Sequence, residues 1–309
     1  MKIGIVTPCF NERDNVEELH ERIAAVMRPL PYDYEHLFID NASTDGTVDV
    51  LRRLAAEDAH VKVIVNARNF GHIRSPYHGL LQADGDAVVV IASDLQDPPE
   101  MIPEFIRRWE AGAKSVMAVK PSSAESRAMF SLRRMYYRLV RRISDVPLVP
   151  DATGAGLYDR QVVEVLRGLN DPYPYFRGLI PEIGLRIETV PFEQPRRKRG
   201  VTKNNFYTLF DMAMLGITSH SKVPLRLMSM LGFALSVLGA LTGFGYLFAK
   251  LLFWDSFQLG TAPVLIGVFL FGSLQMFMMG VLGEYLGAVL THVRHLPHVI
   301  ERERIGFRD

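Results

Sequence analysis

The chain has 309 residues, of which 48% are apolar and 22% charged, and its formal net charge is +1. That length suits one large or two smaller domains, and a balance so near neutral excludes a chain that binds polyanions over its whole surface. A single cysteine, Cys9, excludes an intramolecular disulfide and fits a reducing compartment.

The apolar start Met1–Val6 is too short for a signal peptide and reads as a first strand that stays in the cytoplasm. Ile3–Thr7 ends at Pro8, and the polar turn Asn11-Glu12-Arg13-Asp14-Asn15 follows. Val16, Leu19, Ile23, Ala24 and Met27 then recur at helical spacing. Tyr34–Ile39 predicts a second strand ending at Asp40, and a helix runs through Val48, Leu51 and Leu54. Val61–Val65 predicts a third strand, Ile73–Ala83 a helix, Ala87–Ala92 a fourth strand and Pro103–Ala111 another helix. Strands and helices alternating over short connections predict an α/β domain with a Rossmann-like, mostly parallel, doubly wound sheet. Neither G-x-x-x-x-G-K-[ST] nor a Gly-x-Gly-x-x-Gly after the first strand is present, which argues against a P-loop nucleotidase and a dinucleotide dehydrogenase.

Leu227–Ala249 and Phe257–Gly283 contain no charged residue, and each exceeds the roughly 20 residues that span a bilayer core. The alternative is a pair of buried core helices. Lys222 and Arg226 precede the first stretch, Arg294, Arg302 and Arg304 follow the second, and the connection carries only Lys250 and Asp255. The positive-inside rule then predicts a two-helix transmembrane hairpin with both termini, and the α/β domain that precedes it, in the cytoplasm. The expected organisation is a cytoplasmic domain over 1–205, an interfacial amphipathic helix over 206–224, two spans over 225–292 and a cytoplasmic tail over 293–309. Gly239-xxx-Gly243 and Gly283-xxx-Gly287 would allow close helix contacts, including those of a homo-oligomer.

Asp40 and Asp94 each stand at the carboxyl end of a predicted strand, the edge where open α/β sheets bind ligands. Two carboxylates there can hold a base or ribose and a hard divalent cation, since Mg²⁺ and Mn²⁺ prefer oxygen ligands. The alternative for each is a turn or a helix cap. Ser126–Ile143 interleaves Arg127, Arg133, Arg134, Arg138, Arg141 and Arg142 with apolar residues, the pattern of a basic amphipathic helix at a bilayer surface. Arg127, Arg134 and Arg138 are candidates for the phosphate of an anionic lipid headgroup. Nucleic acid is the other target of such a stripe, and the apolar spans favour lipid phosphate.

Thr7-Pro8-Cys9-Phe10-Asn11-Glu12, Asp40-Asn41-Ala42-Ser43-Thr44-Asp45-Gly46-Thr47, Arg68-Asn69-Phe70-Gly71 and Asp94-Leu95-Gln96-Asp97-Pro98-Pro99-Glu100 resemble the inverting family 2 glycosyltransferases of the GT-A fold. More narrowly, nearly the whole chain is similar to polyprenyl-phosphate glycosyltransferases related to dolichol-phosphate mannose synthase and the bacterial GtrB-type enzymes. The run Asp-Leu-Gln-x-Pro-Pro-Glu is specific to that subgroup. The resemblance implies that Pro8, Asn11, Glu12, Asp40, Asn41 and Arg68 line a nucleotide-sugar pocket and that Asp94 and Gln96 reach a Mg²⁺ or Mn²⁺ ion and the donor diphosphate. Ala92 replaces the first aspartate of the usual Asp-x-Asp pair, which throws more of the metal site onto Asp94 and Gln96. Asp151 lies in the segment where relatives carry an Asp-x-Gly-x-Phe-Arg-like run, near the acceptor. A glycine-rich turn is the alternative. Arg197-Lys198-Arg199-Gly200-Val201-Thr202-Lys203 resembles the Arg-x-x-Gly-x-Ser-Lys segment, with Thr202 for Ser, and makes Arg197 and Lys203 candidates for the donor diphosphate.

The implied reaction moves a sugar, with UDP-glucose the first expectation, to polyprenyl phosphate on the inner, cytoplasmic membrane. A family 2 enzyme with another lipid or glycan acceptor, a non-catalytic membrane module and a nucleotidyltransferase are the rival readings.

Overall fold

A computed structural model describes residues 1–120, 149–169, 171–195, 223–252, 261–293 and 297–307. Strands β1 (Lys2–Cys9), β2 (Asp33–Asp40), β3 (Val61–Asn66) and β4 (Ala87–Val90) alternate with helices α1 (Val16–Met27), α2 (Thr47–Glu57) and α3 (Gly71–Gln82). A single 3-10 turn at Pro99–Met101 leads into α4 (Ile102–Glu110). Then come β5 (Ser115–Val119), β6 (Ala152–Asp159), α5 (Arg160–Leu169), α6 (Phe176–Ile183) and β7 (Ile187–Pro191). Two long helices, α7 (Val223–Leu252) and α8 (Thr261–Val293), precede a last strand, β8 (Glu301–Ile305).

The eight strands form one sheet in the order β7-β5-β6-β4-β1-β2-β3-β8. Its centre, β3-β2-β1-β4, is parallel. All four residues of β4 are buried, as expected of a strand covered on both faces. The helices supply those covers. Leu19, Ile23 and Met27 of α1 and Phe105, Ile106 and Trp109 of α4 pack on one face, and Leu51 and Leu54 of α2 extend that layer over β3. Tyr77, Leu80 and Leu81 of α3 pack with Val162 and Leu166 of α5 on the other face. Gly79 lets α3 come close: a Cβ there would stand 2.8 Å from Val6 Cγ1 and 3.0 Å from Ile39 Cγ2. Order along the sheet reverses between β1 and β4, so the crevice for a ligand opens above those two strands.

Three features differ from the sequence reading. β4 ends at Val90 rather than Ala92, because Ile91 makes a last bond to Val6 O and the chain then turns, with Leu95 in a left-handed conformation at φ 59°. β6 enters between β4 and β5 and runs antiparallel to both. Most notably, the stretch assigned to a cytoplasmic tail contains β8, which pairs antiparallel with β3 from Asn66↔Glu301 to Val63↔Ile305. Its charged residues are anchored from the flanking helices: Arg52 of α2 meets Glu303 at 2.7 Å and His78 of α3 meets Glu301 at 2.7 Å.

Within α8, Phe271–Thr291 is long and apolar enough to cross a membrane, with mean hydropathy 1.3 and none of it buried. Val223–Gly239 of α7 is a shorter apolar stretch. Met228, Gly232, Leu235, Phe271, Leu274 and Met278 are among the residues lining an apolar groove of about 420 Å³ between the two helices. The interfacial helix expected over 206–224 lies outside the described residues, except for its last two positions, which begin α7.

A polar thread runs through the core beside β1 and β2. Thr7 Oγ1 lies 2.9 Å from His36 Nε2, His36 Nδ1 lies 3.2 Å from His20 Nδ1, and His20 Nε2 lies 3.3 Å from Asp58 at the surface. Burial, and then neighbouring His20, hold the pKa of fully buried His36 well below the usual imidazole value. Burial also lowers His20 and His78, against the opposing pull of Asp58 and Glu301. These rings are therefore neutral in the fold, while in the unfolded chain they titrate near pH 6.5. Their stabilising contribution is complete above that pH. It is lost as the pH falls, by up to about 1.4 kcal/mol per pH unit for each ring. Thermal melts of the full chain between pH 7.5 and 5 are expected to show a falling midpoint, and His36→Gln should flatten that dependence. Equal slopes in the two proteins would contradict this account of His36.

Candidate active site

Three neighbouring loops leave the carboxyl edge of the sheet, and each contains a non-glycine residue at positive φ: Asn11 after β1 (57°), Ala42 after β2 (63°) and Leu95 after β4 (59°). Asp151, just before β6, is the only other such residue among those described (54°). Strained backbone of this kind persists only where surrounding contacts hold it, and it concentrates at ligand sites. The four positions mark out one edge of the molecule. The β4–β6 register, Val90 against Gly156, carries the start of β6 past the end of β4 and so brings Asp151 to the edge that bears Asp94.

The β1 and β2 loops brace each other. Asn11 N–H donates to Ser43 Oγ at 2.8 Å, and Thr44 N–H donates back to Asn11 Oδ1 at 2.8 Å. Glu12 N–H donates to Thr47 Oγ1 at 3.0 Å, and Asn15 Nδ2 donates to the Glu12 carboxylate at 2.6 Å. Ser43 N–H donates to Asp40 Oδ2 at 2.9 Å. The run Asp40–Thr47 is thus a turn whose hydroxyls and carboxylates satisfy the backbone of the adjacent loop.

Asp40 is fully buried. Burial pushes its pKa up, and hydrogen bonds from Ser43 and Ala42, together with the Arg302 guanidinium, offset part of that rise. Cys9 is buried beside it, 3.9 Å from Asp40 Oδ1, and burial followed by the charge of Asp40 drives the thiol well above its ordinary value. A thiol in that state is no nucleophile at neutral pH. Native protein is accordingly expected to resist iodoacetamide, with no loss of activity. Labelling of Cys9 at the rate of a free thiol, read by mass spectrometry, would contradict this placement.

Asn41 is a hub. Its Nδ2 donates to Asn69 Oδ1 at 2.9 Å and to Gly71 O at 3.1 Å, while its Oδ1 accepts from Phe70 N–H at 2.9 Å and from Asn66 Nδ2 at 3.1 Å. All four hydrogen-bonding positions of the amide are therefore taken, and Asn41 holds the 66–71 loop onto the β2 loop. Next to it, Arg68 is exposed, with its guanidinium 4.1 Å from the centre of the Phe70 ring.

Asp94 and Gln96 are half-buried at the crevice, and Gln96 N–H donates to Asp94 Oδ1 at 3.2 Å. Among the described residues no group of three or more His, Cys, Asp or Glu side chains gathers to hold a metal. One carboxylate and one amide oxygen at a ligand crevice nevertheless fit Mg²⁺ or Mn²⁺, which commonly take one or two protein carboxylates and complete their shell with substrate phosphates and water. Pro8 is half-buried at the end of β1, on the same side. Arg127, Arg134, Arg138, Arg197 and Lys203 lie outside the described residues. Ser43, Thr47, Asn66 and Asn69 build the rim without having been assigned a role from sequence, and their signal was their place in the polar runs that close β2 and β3. Tyr158, which falls in the glycine-bearing segment after Asp151, is fully buried in the core, with Phe176 at 4.8 Å in an edge-to-face contact.

The glycosyl transferase family 2 model matches residues 4–167, which contain the loops after β1 to β4. The chain belongs to that family. It is 33% identical to the uncharacterized glycosyltransferase YkcC of Bacillus subtilis, over 100% of this chain and 96% of that one. It is 31% identical to the bactoprenol glucosyl transferase of Shigella phage SfV, over 98% and 99% of the two chains. Among solved structures, the mannosyltransferase PcManGT of Pyrobaculum calidifontis, in complex with GDP-Man and Mn²⁺, aligns over 94% of this chain and 86% of that one, with 18% identity and a TM-score of 0.48. The protein is a glycosyltransferase with a mostly parallel, GT-A-like sheet.

Replacing Asn41 with Ala removes both halves of the hub at once and leaves buried Asn66 Nδ2 and the Phe70 N–H short of an acceptor. Asn41→Ala is expected to cost roughly 2–3 kcal/mol in denaturant unfolding. A loss below about 0.5 kcal/mol, the ordinary scale for a surface change, would show that the loop does not depend on it.

Proposed function

We propose that this family 2 enzyme transfers a sugar, with glucose from UDP-glucose the first candidate, to polyprenyl phosphate at the cytoplasmic face of the inner membrane. The observation that carries the reading is the joint presence of a braced carboxyl-edge crevice, with Asp94 and Gln96 at the switch point between β1 and β4, and an apolar pair of helices in one chain. Full-length likeness to a bactoprenol glucosyl transferase supports the acceptor class.

In this reading Pro8, Asn11, Glu12 and Arg68 form the walls of the nucleotide pocket and Asp40 its floor. Asp40 is fully buried, so its contact with a base requires the rim to open. Asp94 and Gln96 would hold Mg²⁺ or Mn²⁺, which would supply positive charge to the leaving diphosphate. Arg197 and Lys203 add cationic hydrogen-bond donors to the same group. An acceptor phosphate oxygen forms the new bond at the anomeric carbon with inversion, as the bond to the donor diphosphate breaks and the nucleoside diphosphate leaves with the electron pair. A phosphate monoester is largely dianionic at pH 7, so the nucleophile needs no strong general base. The role left for Asp151 is to orient the acceptor, and for Arg127, Arg134 and Arg138 to bind its phosphate. Catalysis then rests on positioning and charge stabilisation.

The membrane arrangement proposed is a two-helix hairpin made of α7 and α8. β8 supports it: the strand that follows α8 lies in the same sheet as β1–β4, which precede α7, so the chain returns to the side it left. Such a return is compatible only with an even number of crossings. The apolar groove between α7 and α8 suits the acceptor's hydrocarbon tail.

The deciding experiment presents detergent-solubilised protein with radiolabelled UDP- and GDP-sugars and polyprenyl phosphate, with Mg²⁺, with Mn²⁺ and with a chelator. Label is expected in an acid-labile lipid from one donor. It should disappear with the chelator and fall by about 10²-fold or more in Asp94→Asn. No lipid product from any donor, in protein shown to be folded, would overturn the polyprenyl-phosphate reading, and label in a different lipid would reassign the acceptor.

A further inference from the structure

The segment after the apolar helices is built into the rim of the crevice. Ala67 N–H donates to Ile300 O at 2.8 Å, Glu301 pairs with Asn66 in the ladder, and the register shifts between Val65 and Asn66. Asn66 Nδ2 in turn donates to Asn41 Oδ1 at 3.1 Å and to Ser75 Oγ at 3.0 Å. Phe70 N–H, Asn69 Oδ1 and Gly71 O meet the same Asn41 amide. Asn41 directly follows Asp40, whose carboxylate anchors the turn that braces Asn11. A path of hydrogen bonds and adjoining backbone therefore leads from β8 through the 66–71 loop to Asn41, and along the chain through Asp40 and Ser43 to Asn11. Glu303 and Glu301 are tied to α2 and α3, and Ile305 packs against the apolar layer of α2. Between those anchors Arg302 is exposed, at the register shift opposite Val65–Asn66, and Val65 pairs in turn with Asp40 of β2, so Arg302 stands at the level of the carboxyl edge.

We propose that β8 is a working part of the nucleotide pocket, holding the 66–71 loop and Asn41 in binding geometry and presenting Arg302 as a further donor-binding residue that reads the nucleoside diphosphate. The inference rests on the reading of Asp40 and Asn11 as the donor pocket. A guanidinium there offers planar hydrogen-bond donors to a base carbonyl, a ribose hydroxyl or a phosphate oxygen.

The test uses the full chain in detergent, with UDP and GDP as probes in titration calorimetry. Arg302→Gln keeps the strand and is expected to weaken binding of the preferred nucleotide about tenfold, the scale of one charge-assisted hydrogen bond. It should raise KM for the donor sugar similarly while leaving kcat within about twofold, a split that a loss of folding would not produce. A chain ending at Val299 should bind more weakly still, with faster hydrogen exchange at residues 66–71. Unchanged nucleotide affinity and KM in Arg302→Gln would overturn the role of Arg302. Unchanged affinity and exchange in the folded, shortened chain would overturn the role of β8. If the shortened chain fails to fold, exchange at 66–71 in Glu301→Gln decides for the strand, with faster exchange expected and no change contradicting it. Asp40→Asn and Asn11→Ala run alongside. If both bind nucleotide normally, the donor-pocket reading itself has failed. If both lose binding and the β8 variants do not, only the present inference has.

Discussion

The Asn41 side chain is the constraint on which the carboxyl edge depends. One amide takes two acceptors from the 66–71 loop and serves two donors from the same side of the sheet. Buried at a strand end, such a group is satisfied as a set, because each unmet partner would cost the full desolvation of a polar group. The loop after β3 is therefore fixed to the loop after β2, and the loop after β2 is cross-braced to that after β1 through Ser43, Thr44 and Asn11. What the core contributes is a rigid platform of β1–β4. What the polar edge contributes is the relative placement of three loops that share few apolar contacts.

Apolar periodicity made most of the platform legible. The spacing of Val16, Leu19, Ile23 and Met27 predicts α1, and the short β-branched runs predict β3 and β4, to within a few residues: one buried face imposes the helical period, and burial on both faces imposes a continuous apolar run. The site was legible where polar residues interrupt those runs at strand ends, as at Asp40 and Asp94. Two things were not legible. β6 is one: Ala152–Asp159, with Gly154 and Gly156, reads as a glycine-bearing segment or a turn, and nothing in it says that a strand enters antiparallel between β4 and β5. β8 is the other. Glu301-Arg302-Glu303-Arg304 reads as a solvated run because its partners, Arg52, His78 and Gln82, are more than two hundred residues distant. An edge strand needs little apolar surface when its charges are paired on both flanks, and charged residues also protect the open edge from further pairing.

The same economy governs the opposite ends of the parallel strands. Glu35 of β2 is buried to 3% exposure, yet it meets Lys2 at 2.9 Å and Lys62 at 2.8 Å and accepts from Asp84 N–H at 2.7 Å. A buried carboxylate of this kind adds little net stability, since the Coulombic gain largely repays desolvation. Its value is in register. Lys2, Glu35 and Lys62 stand on β1, β2 and β3, and a slip of one residue in any strand would strand the charge. Register at the amino ends fixes where the carboxyl ends stop, and so fixes the heights at which Pro8, Asp40 and Asn66 meet the crevice.

Under the proposed function, catalysis at a membrane would impose a further requirement on that platform. A glycosyl transfer between a soluble donor and a lipid-bound acceptor needs the reacting atoms within bonding reach while one substrate is confined to a surface. A flexible tether would leave this to chance encounters, and the entropy of orientation would then oppose every turnover. Here the chain leaves the sheet after β7, passes through α7 and α8, and returns to the sheet edge at β8. A hairpin held to the rest of the chain at both ends has far less freedom to tilt or turn than one held at a single end. Under that proposal the polar strand after the apolar helices would make an anchor into a positioning device, by closing the sheet beside the loop that Asn41 holds.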